Sequence, residues 1–220
     1  MRKILSVVLV IFFIAGFGLL SYPVISNEWN NYVQSRLIAD YDDSLLEMKE
    51  EDFSAAWQQA RDFNSLITTN EIYSDVFNTQ TSDEEFENSD YYKTLNPNND
   101  GVMGYLSIPK INLKLSIKHG TRDADLQTGL GHLNGTALPI GGENTHSVIA
   151  GHRGLPTAEL LTDIDQLKEG DKFYIHVLDE VLAYQVDQIL PMVPADDVDA
   201  LTEALAIEPG KDYVTLFTCT

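Results

Sequence analysis

The chain has 220 residues, 14 of them basic and 34 acidic, for a net charge of −20 at neutral pH. So acidic a surface repels phosphates, which excludes nucleic acid as a partner and disfavours anionic lipid surfaces. The 44% hydrophobic content fits one globular domain with a membrane segment added, and the single cysteine excludes an intramolecular disulfide and an iron–sulfur site.

Arg2 and Lys3 precede an uncharged apolar run from Ile4 to Ile25, long enough to span a bilayer as a helix. The run exceeds an ordinary signal-peptide core, and no small-x-small site closes it. Residues 1–26 therefore read as a retained transmembrane anchor, with the basic end inside and everything after it outside.

From 27 to 67 the apolar positions Trp29, Tyr32, Val33, Leu37, Leu45, Leu46, Phe53, Trp57, Ala60 and Phe63 recur at helical spacing among acids. The pattern predicts one or two amphipathic helices, broken near Asp42–Asp43, whose aromatics pack against the domain that follows. Residues 27–100 hold 17 acidic side chains against 4 basic ones, which marks this segment as a solvated surface. Residues 68–100, with Asp83-Glu84-Glu85 and the turn signal Asn96-Pro97-Asn98-Asn99-Asp100-Gly101, read as a long surface loop.

From Gly101 to the end, 101–220, strand signals dominate: Val102–Ile108, Leu113–Lys118, Thr145–Ala150, Lys172–Leu178, Val181–Met192 and Tyr213–Thr218, punctuated by Gly, Pro and Asn. Short helices are expected at Thr157–Leu167 and Val198–Ala206. Short strands with glycine turns make the domain mainly β, a sandwich or barrel.

Two strand ends carry reactive groups. Thr215-Leu216-Phe217-Thr218-Cys219 delivers the lone thiol to the rim of a sheet, and Val148-Ile149-Ala150-Gly151-His152-Arg153-Gly154 delivers an imidazole in the same way. A cysteine thiolate attacks acyl carbons readily, and an imidazole can protonate a leaving amine. His119, His132, His146 and His176 lack this setting and read as structural or surface residues. No Cys/His spacing suggests a metal, and no cofactor is implied.

These two motifs resemble the TLxTC signature and the catalytic Gly-His of sortases. The longer run through Gly101-Val102-Met103-Gly104-Tyr105-Leu106, Gly131-His132-Leu133-Asn134-Gly135 and Gly151-His152-Arg153-Gly154 resembles the pilus-assembling class C members. The resemblance implies a closed β-barrel with short connecting helices, preceded by a transmembrane helix, a helical segment and a lid loop. It makes Cys219 the nucleophile and His152 the general acid of a transpeptidase. Such an enzyme cleaves an LPxTG-type sorting signal between Thr and Gly and joins pilin subunits through a lysine isopeptide bond. Its partners would be pilins and surface proteins bearing that signal, met at the cell-wall side of the membrane.

Asp75-Val76-Phe77 falls where class C sortases carry a lid motif of Asp, Pro and an aromatic, so Asp75 and Phe77 are expected to cover the cleft, with valine in place of proline. The family also uses an arginine on the strand after the cysteine. The sequence stops one residue beyond Cys219, which reads as a C-terminal truncation leaving an inactive, poorly folded chain with an unpaired edge. Arg153 follows His152 directly, on the other face, and is not assigned that role. Two other functions fit the residues: a housekeeping sortase that anchors surface proteins to peptidoglycan, and a catalytically silent, membrane-anchored assembly or binding protein with Cys219 as a buried thiol.

Overall fold

The structure is a computed structural model that describes residues 2–67, 82–190, 192–193 and 198–218. Helix α1 runs without interruption over Arg2–Leu46. The large apolar side chains of its first half, from Ile4 to Ile25, are exposed. Its second half lies against the barrel, burying Asn30, Gln34, Ile38 and Tyr41 at helical spacing.

The contacts on that face are specific. Gln34 Oε1 accepts from Ser116 N at 2.7 Å, and its Nε2 donates to Thr128 O at 2.8 Å. The Tyr41 hydroxyl accepts from Leu178 N at 2.8 Å and donates to Met103 O at 3.2 Å. Because Tyr41 and Leu45 both belong to the docked stripe, the helix passes straight through Asp42–Asp43, where the sequence suggests a break. It ends only at Leu46, and Lys49 N, bonded to Asp52 Oδ2 at 2.9 Å, starts the next helix.

That helix, α2 (Glu50–Leu66), opens on Glu50, Glu51 and Asp52, which complement its N-terminal dipole. It buries Trp57 and Ala60. Trp57 Nε1 donates to Asp179 Oδ1 at 2.7 Å, and Asn64 pairs with both backbone groups of Leu138.

The reading of 68–100 as one loop needs correction. Residues 68–81 lie outside the described residues, but α3 (Asp83–Asn88) and α4 (Asp90–Lys93) are short helices. Ser82 and Ser89 cap them, accepting from Glu85 N and Tyr92 N. Phe86 and Tyr91 anchor the pair in the core, a tertiary contact that outweighs weak local propensity.

Seven strands form one sheet: β1 (Val102–Ile108), β2 (Leu113–His119), β3 (Leu130–His132), β4 (Thr145–Ala150), β5 (Lys172–Val177), β6 (Glu180–Gln185) and β7 (Asp212–Phe217). Their order is β6-β5-β1-β2-β3-β4-β7. The β2/β3 and β4/β7 pairs are parallel, while the others are antiparallel. The sheet curls into a nearly closed barrel around Met103, Leu106, Ile108, Ile117, Leu130, Ile149, Leu161 and Ile175. Its two end strands meet at a seam where the Tyr184 hydroxyl donates to Asp212 Oδ1 at 2.9 Å. Burial and the Asp212 carboxylate push that phenol well up, so it stays a donor.

Three other expectations shift. The last strand of the β5/β6 hairpin stops at Gln185 rather than Met192, and Thr157–Leu167 forms turns with a single 3-10 turn at Ile164–Gln166 instead of a helix. Three-residue β3 carries too little periodicity to announce itself, and the same holds for α5 (Asp123–Leu126). Helix α6 (Val198–Ala204) matches its expected position apart from its last two residues.

Candidate active site

Strands β4 and β7 run parallel in unbroken register, from Thr145 opposite Asp212 to Ala150 opposite Phe217. The ladder extends one step further, because Gly151 N donates to Phe217 O at 3.0 Å. His152, the next residue, is half-buried just past the end of β4. Its backbone oxygen accepts from Leu161 N at 3.1 Å, so the loop that leaves His152 folds back beneath it.

Only glycine fits at 151. A Cβ there would lie 2.5 Å from Leu130 Cδ2 and 2.9 Å from Leu161 Cδ1, inside the packed core. The close approach of strand and core therefore fixes where the imidazole begins. Gly154 takes φ +71°, and its N–H donates to Thr162 Oγ1 at 2.9 Å, which closes the same loop.

Arg153 lies outside the strand, where its guanidinium is 3.2 Å from the Asp165 carboxylate. Cys219, Asp75 and Phe77 lie outside the described residues. The structure thus places His152 beside the strand that leads to Cys219, and describes neither the thiol nor the lid residues. Among the described residues no group of three or more His, Cys, Asp or Glu could hold a metal ion.

A second link between these strands has no sequence signal. His146 Nε2 lies 2.7 Å from Thr215 Oγ1, and its Nδ1 lies 2.8 Å from Ala206 O. A carbonyl can only accept, so Nδ1 carries the proton and Nε2 accepts from the threonine hydroxyl. Burial lowers the pKa of the ring and favours this neutral form. Three elements are joined through one imidazole: the strand before His152, the Thr215-to-Cys219 run, and the turn after α6. Only the assembled barrel brings 146, 206 and 215 together.

His132 is wholly buried: its Nε2 donates to Ala137 O at 2.8 Å, and Tyr91 OH lies 2.9 Å from its Nδ1. His119 is likewise buried, with its ring nitrogens at Gly101 O and Thr94 O. His176 stacks on Tyr105 and meets Ser107. Each of these four imidazoles is held by hydrogen bonds within the barrel and the segments packed on it.

A sortase domain model matches residues 106–220, the barrel from within β1 to the end of the chain. The chain belongs to the sortase family. Solved structures similar to this sortase include sortase C1 from Streptococcus agalactiae, 43% identical with a TM-score of 0.69, covering 84% of this chain and 90% of that one. Sortase C of Streptococcus pneumoniae is 42% identical with a TM-score of 0.72, covering 84% and 88%. Among curated proteins, sortase A of Streptococcus agalactiae serotype III (strain NEM316) is 28% identical over 54% of this chain and 47% of its own length. This sortase spans between about half and just under two thirds of the curated sortases it matches. Its nearly closed seven-stranded barrel with flanking helices is the architecture of the solved sortase C structures.

Proposed function

We propose that this sortase is a class C transpeptidase that polymerises pilins, with Cys219 as nucleophile and His152 as general acid and base. The observation that carries the reading is the β4/β7 register: Ala150 pairs with Phe217, and His152 and Cys219 each follow two residues later. Sortase C structures cover 83–85% of the chain at 32–43% identity, whereas the sortase A relatives cover little more than half at 28–29%. That contrast favours pilin assembly over peptidoglycan anchoring.

The Cys219 thiolate attacks the Thr carbonyl of an LPxTG-type signal and forms a thioester as the Thr–Gly amide breaks. His152 gives its proton to the departing glycine amine. A pilin lysine amine, deprotonated by the same imidazole, then takes the acyl group, and the thiolate leaves. One amide is exchanged for another, so no ATP is needed. Arg2 and Lys3 stay in the cytoplasm, α1 crosses the membrane, and the barrel works on the cell-wall side. Asp75 and Phe77 form a lid over the thiol, with Val76 leaving its backbone freer than proline would.

The test incubates the full-length, membrane-inserted protein with a pilin bearing the sorting signal, and reads the thioester by mass and the polymer as a ladder. Cys219→Ala is expected to abolish the thioester, and His152→Ala to slow it by orders of magnitude. Phe77→Ala and Asp75→Ala should speed alkylation of Cys219, and Val76→Pro should slow it. Normal ladders from either catalytic variant would end the reading, and identical alkylation rates would remove the lid.

A further inference from the structure

The barrel is seated on α1 in a fixed order along the helix axis. Asn27 Oδ1 accepts from Glu159 N at 2.9 Å. Gln34, about 10 Å further along at ~1.5 Å per residue, holds Ser116 and Thr128. Tyr41, about 21 Å beyond Asn27 on the same rise, holds Met103 and Leu178. Glu159 is therefore at the end of the barrel that faces the apolar half of the helix, and the β5/β6 turn is at the opposite end.

The apolar run from Ile4 to Ile25 is about 33 Å long at the helical rise, close to the ~30 Å hydrocarbon thickness of a bilayer. If Ile25 marks its outer boundary, Asn27 stands about 3 Å into the headgroup layer, Trp29 about 6 Å and Tyr32 about 10 Å. Trp29 and Tyr32 are 67% and 57% exposed, with ring centroids 5.8 Å apart. Two large aromatics left in the open at that depth match the preference of such rings for the headgroup level, where the ring is apolar and its polar tip wet.

The Glu159 loop is also the loop of the site. Leu155 and Ala158 bridge within it, and Leu161 N bonds the His152 carbonyl. We propose that the His152 end of the barrel faces the membrane, with Trp29 and Tyr32 set in the phospholipid headgroup layer and the 154–161 loop resting on it. The contact is aromatic rather than electrostatic, because Glu28 and Glu159 flank it and the chain as a whole is strongly acidic. The fit is thus to a zwitterionic headgroup surface, and a substrate still held in the membrane reaches the site from below. This inference rests on the reading of α1 as the membrane span.

The test uses the full chain with Cys219→Ala, so that one introduced cysteine carries the probe. Glu159→Cys and Glu180→Cys, both exposed positions, are each labelled with a fluorophore and reconstituted into phosphatidylcholine vesicles containing a headgroup-linked nitroxide quencher. Quenching at 159 is expected to exceed that at 180 several-fold. In addition, Trp57→Phe leaves Trp29 as the sole tryptophan, and its emission should be quenched by the same lipid. Chain that floats with the vesicles but shows equal quenching at 159 and 180, or an unquenched Trp29, overturns the proposal while leaving the span intact. Chain that does not float with vesicles overturns the span and this proposal together.

Discussion

Acid should weaken this fold through one buried ring. His132 is completely enclosed, donates to Ala137 O and lies within reach of the Tyr91 hydroxyl, so a second proton would place a charge in a fully buried site and turn its accepting nitrogen into a donor. Burial, opposed in part by the Ala137 bond, lowers its pKa from 6.5 to about 4, with His119 adding to the effect. The folded state binds the proton less tightly than the unfolded chain does. The stabilisation is therefore complete above 6.5 and drains away as pH falls toward 4. At 1.36 kcal/mol per pH unit the whole effect is about 3 kcal/mol, of which about 2 kcal/mol is gone by pH 5.

The assay is urea unfolding of the detergent-solubilised chain at pH 7.5 and 5, followed through Trp57, whose indole is pinned to Asp179. His132→Gln keeps a donor for Ala137 and cannot titrate. Its stability should fall less between the two pH values than that of the parent, by about 2 kcal/mol. His119 also has a lowered pKa and contributes to the acid limb in both proteins, so the difference isolates His132. Parallel stability losses in parent and variant would refute the reasoning, whatever the absolute stability of the variant.

Tyr41→Phe removes the hydroxyl that serves Leu178 N and Met103 O while keeping the edge-on ring contact with Tyr105. Two buried backbone groups lose their partner, so the urea midpoint should drop by an amount worth about 1–3 kcal/mol, and an unchanged midpoint would show that α1 is not held there. Gly151→Ala forces a methyl against Leu130 and Leu161, costing about 1–3 kcal/mol and moving the start of the His152 loop. Thermal melting and the rate of thioester formation should both fall, and a normal rate in a destabilised protein would separate packing at 151 from placement of the imidazole.

How much was legible in the sequence follows from how local each signal is. The strand Thr145–Ala150 is a run of β-formers ended by glycine, and its bounds in the barrel are the expected ones. The barrel class and the family likewise follow from short apolar runs and from TLFTC and GHRG, which are contiguous. The apolar stretch before Ser26 announces a candidate span because hydropathy is a property of composition alone.

Other features were settled only by tertiary packing. Helix α1 ignores its acidic pair at 42–43 because Tyr41 and Leu45, on either side, are both drawn into the barrel. Serine caps make helices of a stretch that reads as loop, since Phe86 and Tyr91 find a core to enter. The junction joins His146 to Ala206 and Thr215, 60 and 69 positions away, and no periodicity encodes a hydrogen bond across that distance. The sequence by itself determined the family and the strands that lead to His152 and Cys219. The folded barrel alone decided which strands stand side by side, which histidine ties them together, and which end of the molecule sits nearest the apolar helix. Register and docking depend on surfaces that exist only once distant segments have packed.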